Sequence, residues 1–149
     1  MVDAWWVTGL VDGEGCFYAR IDHRTKTSVR IEFQIGLVEA DRDCLEKVKN
    51  YFGVGRIYRW DDKRPKAQPK ACYRVQAFKE LKTIISHFQN YPLQSKERVD
   101  FDRWVEIVNA YSDKDFVKVS ALVDLLRKRA KSSTKPLVCS AGDNPPNLT

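Results

Sequence analysis

The nine residues from Val7 to Gly15, VTGLVDGEG, place two carboxylates, Asp12 and Glu14, between glycines at the end of a short apolar run. Asp3 is positioned to cap a helix through Trp5, Trp6, Val7, Leu10 and Val11, because its side chain can accept an otherwise unpaired amide of the first turn. Gly13 and Gly15 are expected to stop that helix. Gly9 and Gly13 fall on one helical face, and without Cβ atoms they admit a second helix to backbone distance. The chemistry on offer is a carboxylate, Glu14, delivered to a helix exit where two backbones come close. The competing reading is an amphipathic core helix ended by a glycine cap.

This stretch resembles the LAGLIDADG motif that names a family of homing endonucleases. Gly9, Leu10, Asp12 and Gly15 match outright, and Val7, Thr8, Val11, Gly13 and Glu14 are conservative or known kinds of replacement. The resemblance implies that two such helices pack together through Trp5, Thr8, Gly9, Asp12 and Gly13, one per subunit of a homodimer. It implies that Glu14 and the Gly13 carbonyl bind Mg2+, with Mn2+ able to substitute and Ca2+ supporting binding without efficient cleavage. Asp12 takes a local structural role in this reading. Lys96, in PLQSKER, occupies the place of a basic residue near the scissile phosphate; an exposed lysine at a helix start is the alternative. For a water-positioning residue the gapless match from Phe33 gives Leu37, and counting back from Leu45 gives Glu39. Glu39 is favoured because Leu37 cannot hold a water, and Gln34 is read as a base contact.

The elements that must position these groups follow from periodicity. Residues 16–21 and 29–35 alternate: Phe17, Ala19 and Ile21 with Val29, Ile31, Phe33 and Ile35 on one face, Tyr18, Arg20 and Asp22 with Arg30, Glu32 and Gln34 on the other. A second hairpin, residues 56–60 and 71–77, places Arg56, Tyr58, Trp60, Cys72, Arg74 and Gln76 opposite Ile57, Tyr73 and Val75. Asp41 is expected to cap a helix carrying Leu45, Val48 and Phe52, ended by the turn at Gly53 to Gly55. A helix from Phe78 to Gln89 follows, broken before Pro92, then one capped by Ser95 and a last one from Phe116 to Leu126. The order αββαββα with C-terminal helices is an α+β arrangement similar to the endonuclease core. It implies a four-stranded antiparallel saddle whose polar face meets DNA. Residues 1–129 are read as one domain and 130–149 as a flexible basic and polar tail.

Charge supports a phosphate-facing surface. Residues 20–34 carry a local +2 and residues 56–74 a local +5, against +6 for all 149 residues, so the basicity is concentrated in the two hairpins. The expected DNA contacts are Tyr18, Arg20, Arg24, Lys26, Arg30, Glu32, Gln34, Arg56, Tyr58, Trp60, Lys66, Lys70, Arg74 and Gln76. The resemblance implies double-stranded DNA with near-palindromic half-sites as the partner, cut by metal-dependent hydrolysis. The chain's own intron RNA is a further partner considered. No apolar run has the length to span a membrane, and the tryptophan-rich start does not read as a secretory signal. Cys16, Cys44, Cys72 and Cys139 show no zinc spacing and are read as free thiols of an intracellular, reducing compartment, in a prokaryotic cytoplasm or an organelle. Two rival functions remain at this point: an inactive nucleic-acid binder on the same fold, such as an intron maturase or regulator, and an unrelated RNA-binding α+β protein using Tyr18, Tyr58 and Trp60 to stack bases.

Overall fold

The computed structural model describes residues 1–22, 24 and 28–132. Helix α1 (Ala4–Glu14) runs directly into strand β1 (Gly15–Ile21), which pairs antiparallel with β2 (Val29–Val38). A 3-10 turn (Glu39–Asp41) leads into α2 (Arg42–Phe52), followed by the hairpin β3 (Arg56–Trp60) and β4 (Lys70–Val75). A second 3-10 turn (Phe78–Glu80) precedes α3 (Leu81–Asn90), and α4 (Glu97–Ser112) and α5 (Phe116–Ser132) close the described part. The four strands form one antiparallel sheet in the order β1-β2-β4-β3. This α+β arrangement, with the expected αββαββα order, is the fold read from the sequence.

One face of the sheet is apolar because its alternate residues are, and each of α1 to α5 contributes to the core it helps build. Phe17, Phe33, Ile35, Tyr73 and Val75 from the strands pack with Val7 and Val11 of α1, Leu45 and Phe52 of α2, and Phe88 of α3. Phe101 and Trp104 of α4 and Val123 of α5 complete that cluster. Phe17 sits at its centre, with ring centroids 5.3 Å from Phe33, Phe101 and Trp104. The buried Trp104 indole donates to the Tyr18 carbonyl at 3.2 Å, so its one polar atom is satisfied.

Several element ends differ from expectation. Asp3 does cap α1, accepting from the amides of Trp5 at 2.8 Å and Trp6 at 3.3 Å, but Gly13 lies inside the helix and only Gly15 ends it. Asp41 makes no capping bond, because the chain enters α2 through a 3-10 turn that leaves Asp41 at φ −99° and ψ 16°. Gly53 closes α2 in the left-handed region at φ 69°. Gly55 has φ 83°, and a Cβ there would stand 2.8 Å from the Arg74 carbonyl. Helix α5 continues to Ser132, so Arg127, Lys128 and Arg129 belong to a helix; Arg129 pairs with Asp100 and donates to the Lys96 carbonyl at 2.8 Å. Cys16 and Cys44 are free thiols, as expected. Cys72 is buried, and Cys139 lies outside the described residues.

A histidine the sequence left isolated ties α1 to the rest. His87 bonds through Nε2 to the Thr8 hydroxyl at 3.1 Å and through Nδ1 to the Tyr51 hydroxyl at 3.0 Å. Thr8 gives its one proton to the Tyr91 carbonyl at 2.9 Å, so it must accept from His87 Nε2–H, and Nδ1 must accept from Tyr51. The ring is therefore held neutral in one tautomer, and burial pushes its pKa down from 6.5 to about 4. The unfolded chain takes up a proton at this residue once the pH falls below the ordinary value, whereas the folded chain does not until about 4. Stability from this residue is therefore full at neutral pH and is lost as the pH falls through that window. Urea unfolding of the wild type and of His87→Gln is expected to show their stability difference shrinking from pH 7 to pH 4.5. A difference that stays constant over that range contradicts the buried neutral imidazole.

Candidate nucleic-acid interface and acidic helix end

Helix α1 ends at Glu14, whose side chain is exposed, and the following residue already belongs to β1. Gly15 makes that abrupt change possible: a Cβ there would lie 2.5 Å from Val11 Cγ1 and 2.9 Å from the Val11 carbonyl oxygen. The outer face of α1 carries Trp5 at 51% exposure and Trp6 at 39%, beside exposed Gly9 and Gly13. A Cβ built on either glycine meets nothing within 4 Å, so packing among the described residues does not require glycine at either position.

Two residues expected on that outer face point elsewhere. Thr8 is only 2% exposed because its hydroxyl faces α3, where it meets His87 and the Tyr91 carbonyl. Asp12 turns to the connection before α4, accepting from the Gln94 amide at 3.0 Å, the Ser95 amide at 3.1 Å and the Ser95 hydroxyl at 2.8 Å. Ser95 Oγ in turn accepts from the Glu97 amide at 3.1 Å, so the expected start of α4 is capped through Ser95 and held by Asp12. Thr8 and Asp12 thus make their hydrogen bonds within this chain, Asp12 in a local structural contact. The tether also brings exposed Lys96, the residue after Ser95, to the segment fastened two residues from Glu14.

Among the described residues no group of three or more His, Cys, Asp or Glu side chains converges. Glu14 is the acidic group at the α1 terminus, joined there by the helix's last carbonyls, which have no amide four residues on within the helix. Glu39 is committed to α2: its carboxylate pairs with Arg42 at 3.2 Å. Leu37 packs partly buried against the core.

The second face of the sheet is polar, as the alternation requires. Register sets Tyr18 opposite Glu32, Arg20 opposite Arg30, Gln34 opposite Arg74, Arg56 opposite Arg74 and Trp60 opposite Lys70. Arg74 lies over the Tyr58 ring at 5.5 Å and Lys70 over Trp60 at 5.6 Å, so each aromatic holds a cation in place. Arg20, Arg56 and Gln76 are exposed on this face. Glu32, expected to contact DNA, is 1% exposed and is instead the hub of the face. One of its oxygens accepts from Arg30 Nε and from Gln76 Nε2 at 2.9 Å; the other accepts from Gln34 Nε2 at 2.5 Å and faces Arg74 Nε at 3.7 Å. Arg74 is itself 6% exposed, and burial lowers its pKa while Glu32 opposes that shift.

Near the end of β3, Arg59 pairs with Asp61 at 3.1 Å, and in the β3–β4 connection Arg64 pairs with Asp62 at 2.5 Å, so part of the positive charge counted over residues 56–74 is already matched. Lys66 is exposed in that loop, with φ 64°. Arg24, in the β1–β2 connection, is exposed and donates its amide to Asp22 at 2.9 Å; Lys26 lies outside the described residues. No helix among the described residues is long and apolar enough to cross a membrane.

The family profile described as LAGLIDADG endonuclease matches residues 7–108. An uncharacterized 50.9 kDa protein in ND4 intron 1 of Podospora anserina is 34% identical over 67% of this chain and 22% of its own length. The crystal structure of the LAGLIDADG meganuclease I-AabMI bound to uncleaved DNA matches at a TM-score of 0.71 with 34% identity, over 82% of this chain and 44% of that one. The homing endonuclease I-TnaI matches at 0.71 with 26% identity, over 88% of this chain and 97% of its own. The chain spans only 22%, 24% and 28% of three curated relatives it matches.

The Asp12 tether yields an expectation for stability. Asp12→Ala removes the acceptor for two amides and a hydroxyl and should cost about 1 to 3 kcal/mol in urea unfolding. Amide exchange at Gln94, Ser95 and Glu97 should accelerate with it. Unchanged exchange at those three amides would show that the tether does not hold the start of α4.

Proposed function

Because the chain belongs to the LAGLIDADG endonuclease family, we propose that it is an intron-encoded homing endonuclease making a double-strand break in a long, near-palindromic DNA target as a homodimer. The observation that carries this reading is the α1 terminus. An exposed carboxylate follows a helix face of small residues and uncovered tryptophans, and the next residue begins the sheet with the polar face. The chain carries one copy of the motif, and a second copy packed on Gly9 and Gly13 would bring a second Glu14 to the first. Relatives named for introns, and one solved on DNA, support the intron-encoded and DNA-binding parts of the reading.

The donors at the helix end fit a hard divalent cation, since the Glu14 carboxylate and the Gly13 carbonyl are both oxygens, the ligand type that Mg2+ and Mn2+ accept. Such an ion, when bound, supplies charge to a phosphodiester in displacement and makes water a stronger nucleophile at neutral pH. The chain's own residues do the rest. Asp12 sets the distance between α1 and the Ser95–Lys96 segment, so the Lys96 ammonium can stand beside a phosphate held at the acidic end. Arg20, Arg56, Lys66 and Lys70 supply backbone contacts, and the polar face meets base edges in the major groove. Water exclusion falls to the closed contact between the two α1 faces.

Selection of a cleaved site from a randomised duplex library tests the reading. With that site, the wild type in magnesium should give linear product, and Glu14→Gln should bind the duplex with affinity within a few fold of wild type while cleavage falls by about 1000-fold or more. Calcium should support binding without efficient cleavage. Undiminished cleavage by Glu14→Gln would overturn the assignment, and duplex binding without any break by the wild type would favour the inactive maturase or regulator class.

A further inference from the structure

Glu32 is a buried carboxylate at the centre of a surface that should, by its overall charge, face polyanionic DNA. Its position is therefore costly unless it has work to do there. Four donor-bearing side chains converge on it from two strands: Arg30 and Gln34 from β2, and Arg74 with Gln76 from β4 and its exit. Beside a carboxylate an amide must present its nitrogen, since two acceptor oxygens repel. Both glutamines are therefore locked with Nε2 inward and Oε1 turned away from the carboxylate. Arg74 is held close enough to Glu32 for charge attraction but without a hydrogen bond from Nε, and its Nη1 is likewise buried and unpartnered. Tyr18, opposite Glu32 on β1, has a buried hydroxyl with no partner.

We propose that Glu32 is a positioning residue for sequence readout: it does not touch a base but fixes the amide orientation of Gln34 and Gln76 and the placement of Arg30 and Arg74. The fixed pattern sets glutamine oxygens, which accept from an adenine or cytosine amino group, beside arginine donors, which pair with guanine O6 and N7. With both amides pinned, the wrong pattern cannot be met by a simple amide flip, and discrimination gains from preorganisation rather than from added contacts. This rests on the DNA-binding reading of the sheet.

Two substitutions and one measurement without DNA test it. Glu32→Gln keeps the shape but removes the charge and lets the amides flip. The ratio of affinities for the selected site and its single-base variants at the positions read by Gln34 and Arg74 should fall about tenfold or more, while affinity for unrelated duplex rises. Glu32→Asp keeps the charge but withdraws it by one methylene, and should lose discrimination as well without the gain on unrelated duplex. In the free protein, the side-chain amide protons of the buried Gln34 should exchange slowly in the wild type and quickly in Glu32→Gln. If the two variants bind all sequences more weakly by one factor and keep the wild-type ratios, Glu32 is only structural and the proposal fails. If the wild type itself shows no preference among duplexes, the DNA-reading function fails, and the amide exchange alone then decides whether Glu32 orders the face. Equal exchange in wild type and Glu32→Gln overturns the proposal whether or not either variant binds DNA.

Discussion

The absence of a loop between α1 and β1 is the constraint on which the rest of the site depends. The backbone turns from helix to strand at Gly15, where the Val11 side chain and carbonyl occupy the space a Cβ would need. The Gly15 amide still bonds the Val11 carbonyl, so the last helical turn and the first strand residue are one rigid piece. Glu14 therefore cannot wander relative to the polar row of β1 that begins at Cys16 and continues through Tyr18 and Arg20. For the proposed nuclease function this rigidity matters, because the acidic group must stand at a fixed offset from the bases being read.

The helix is held on its inner side by polar as well as apolar contacts. Val7 and Val11 enter the core, Thr8 joins the hydrogen-bond chain through His87 to Tyr51, and Asp12 fastens the start of α4. The side left over is lined by glycines and tryptophans, residue types that suit close approach and aromatic contact with another helix. The division is consistent with the motif's own pattern: residues of one face serve the fold, while on the other Gly9 and Gly13 meet nothing among the described residues and Trp5, half exposed, is touched edge-on by Tyr91 at 5.3 Å. Each strand pair shows the same division, with an apolar row spent on the core and a polar row outward.

Much of this was legible in the sequence because it is periodic. Alternation located all four strands and assigned Phe17, Ile31, Phe33, Ile35, Tyr73 and Val75 to the core, and the spacing of Leu45, Val48 and Phe52 marked α2. The element ends were less legible, since a 3-10 turn ahead of α2 made Asp41 unnecessary as a cap. Contacts between distant residues were not legible at all. His87 meets Thr8 across 79 positions, and Glu32 meets Gln76 across 44, a pairing that exists only because β4 inserts between β2 and β3. Alternation placed Glu32 on the polar face, but its burial follows from the long side chains that strand order gathers around it. The intrachain partners of Thr8 and Asp12 were hidden for a related reason: the motif identifies the helix, but not which way each polar residue turns.

The central claim is that the uncovered face of α1 exists to meet a second copy, so that two Glu14 carboxylates act on one duplex. Sedimentation of the wild-type chain with its selected duplex, in calcium to hold binding without efficient cleavage, tests this most directly. Two chains should bind per duplex at saturation, with no stable complex of one chain. A saturated complex of one chain per duplex would contradict it.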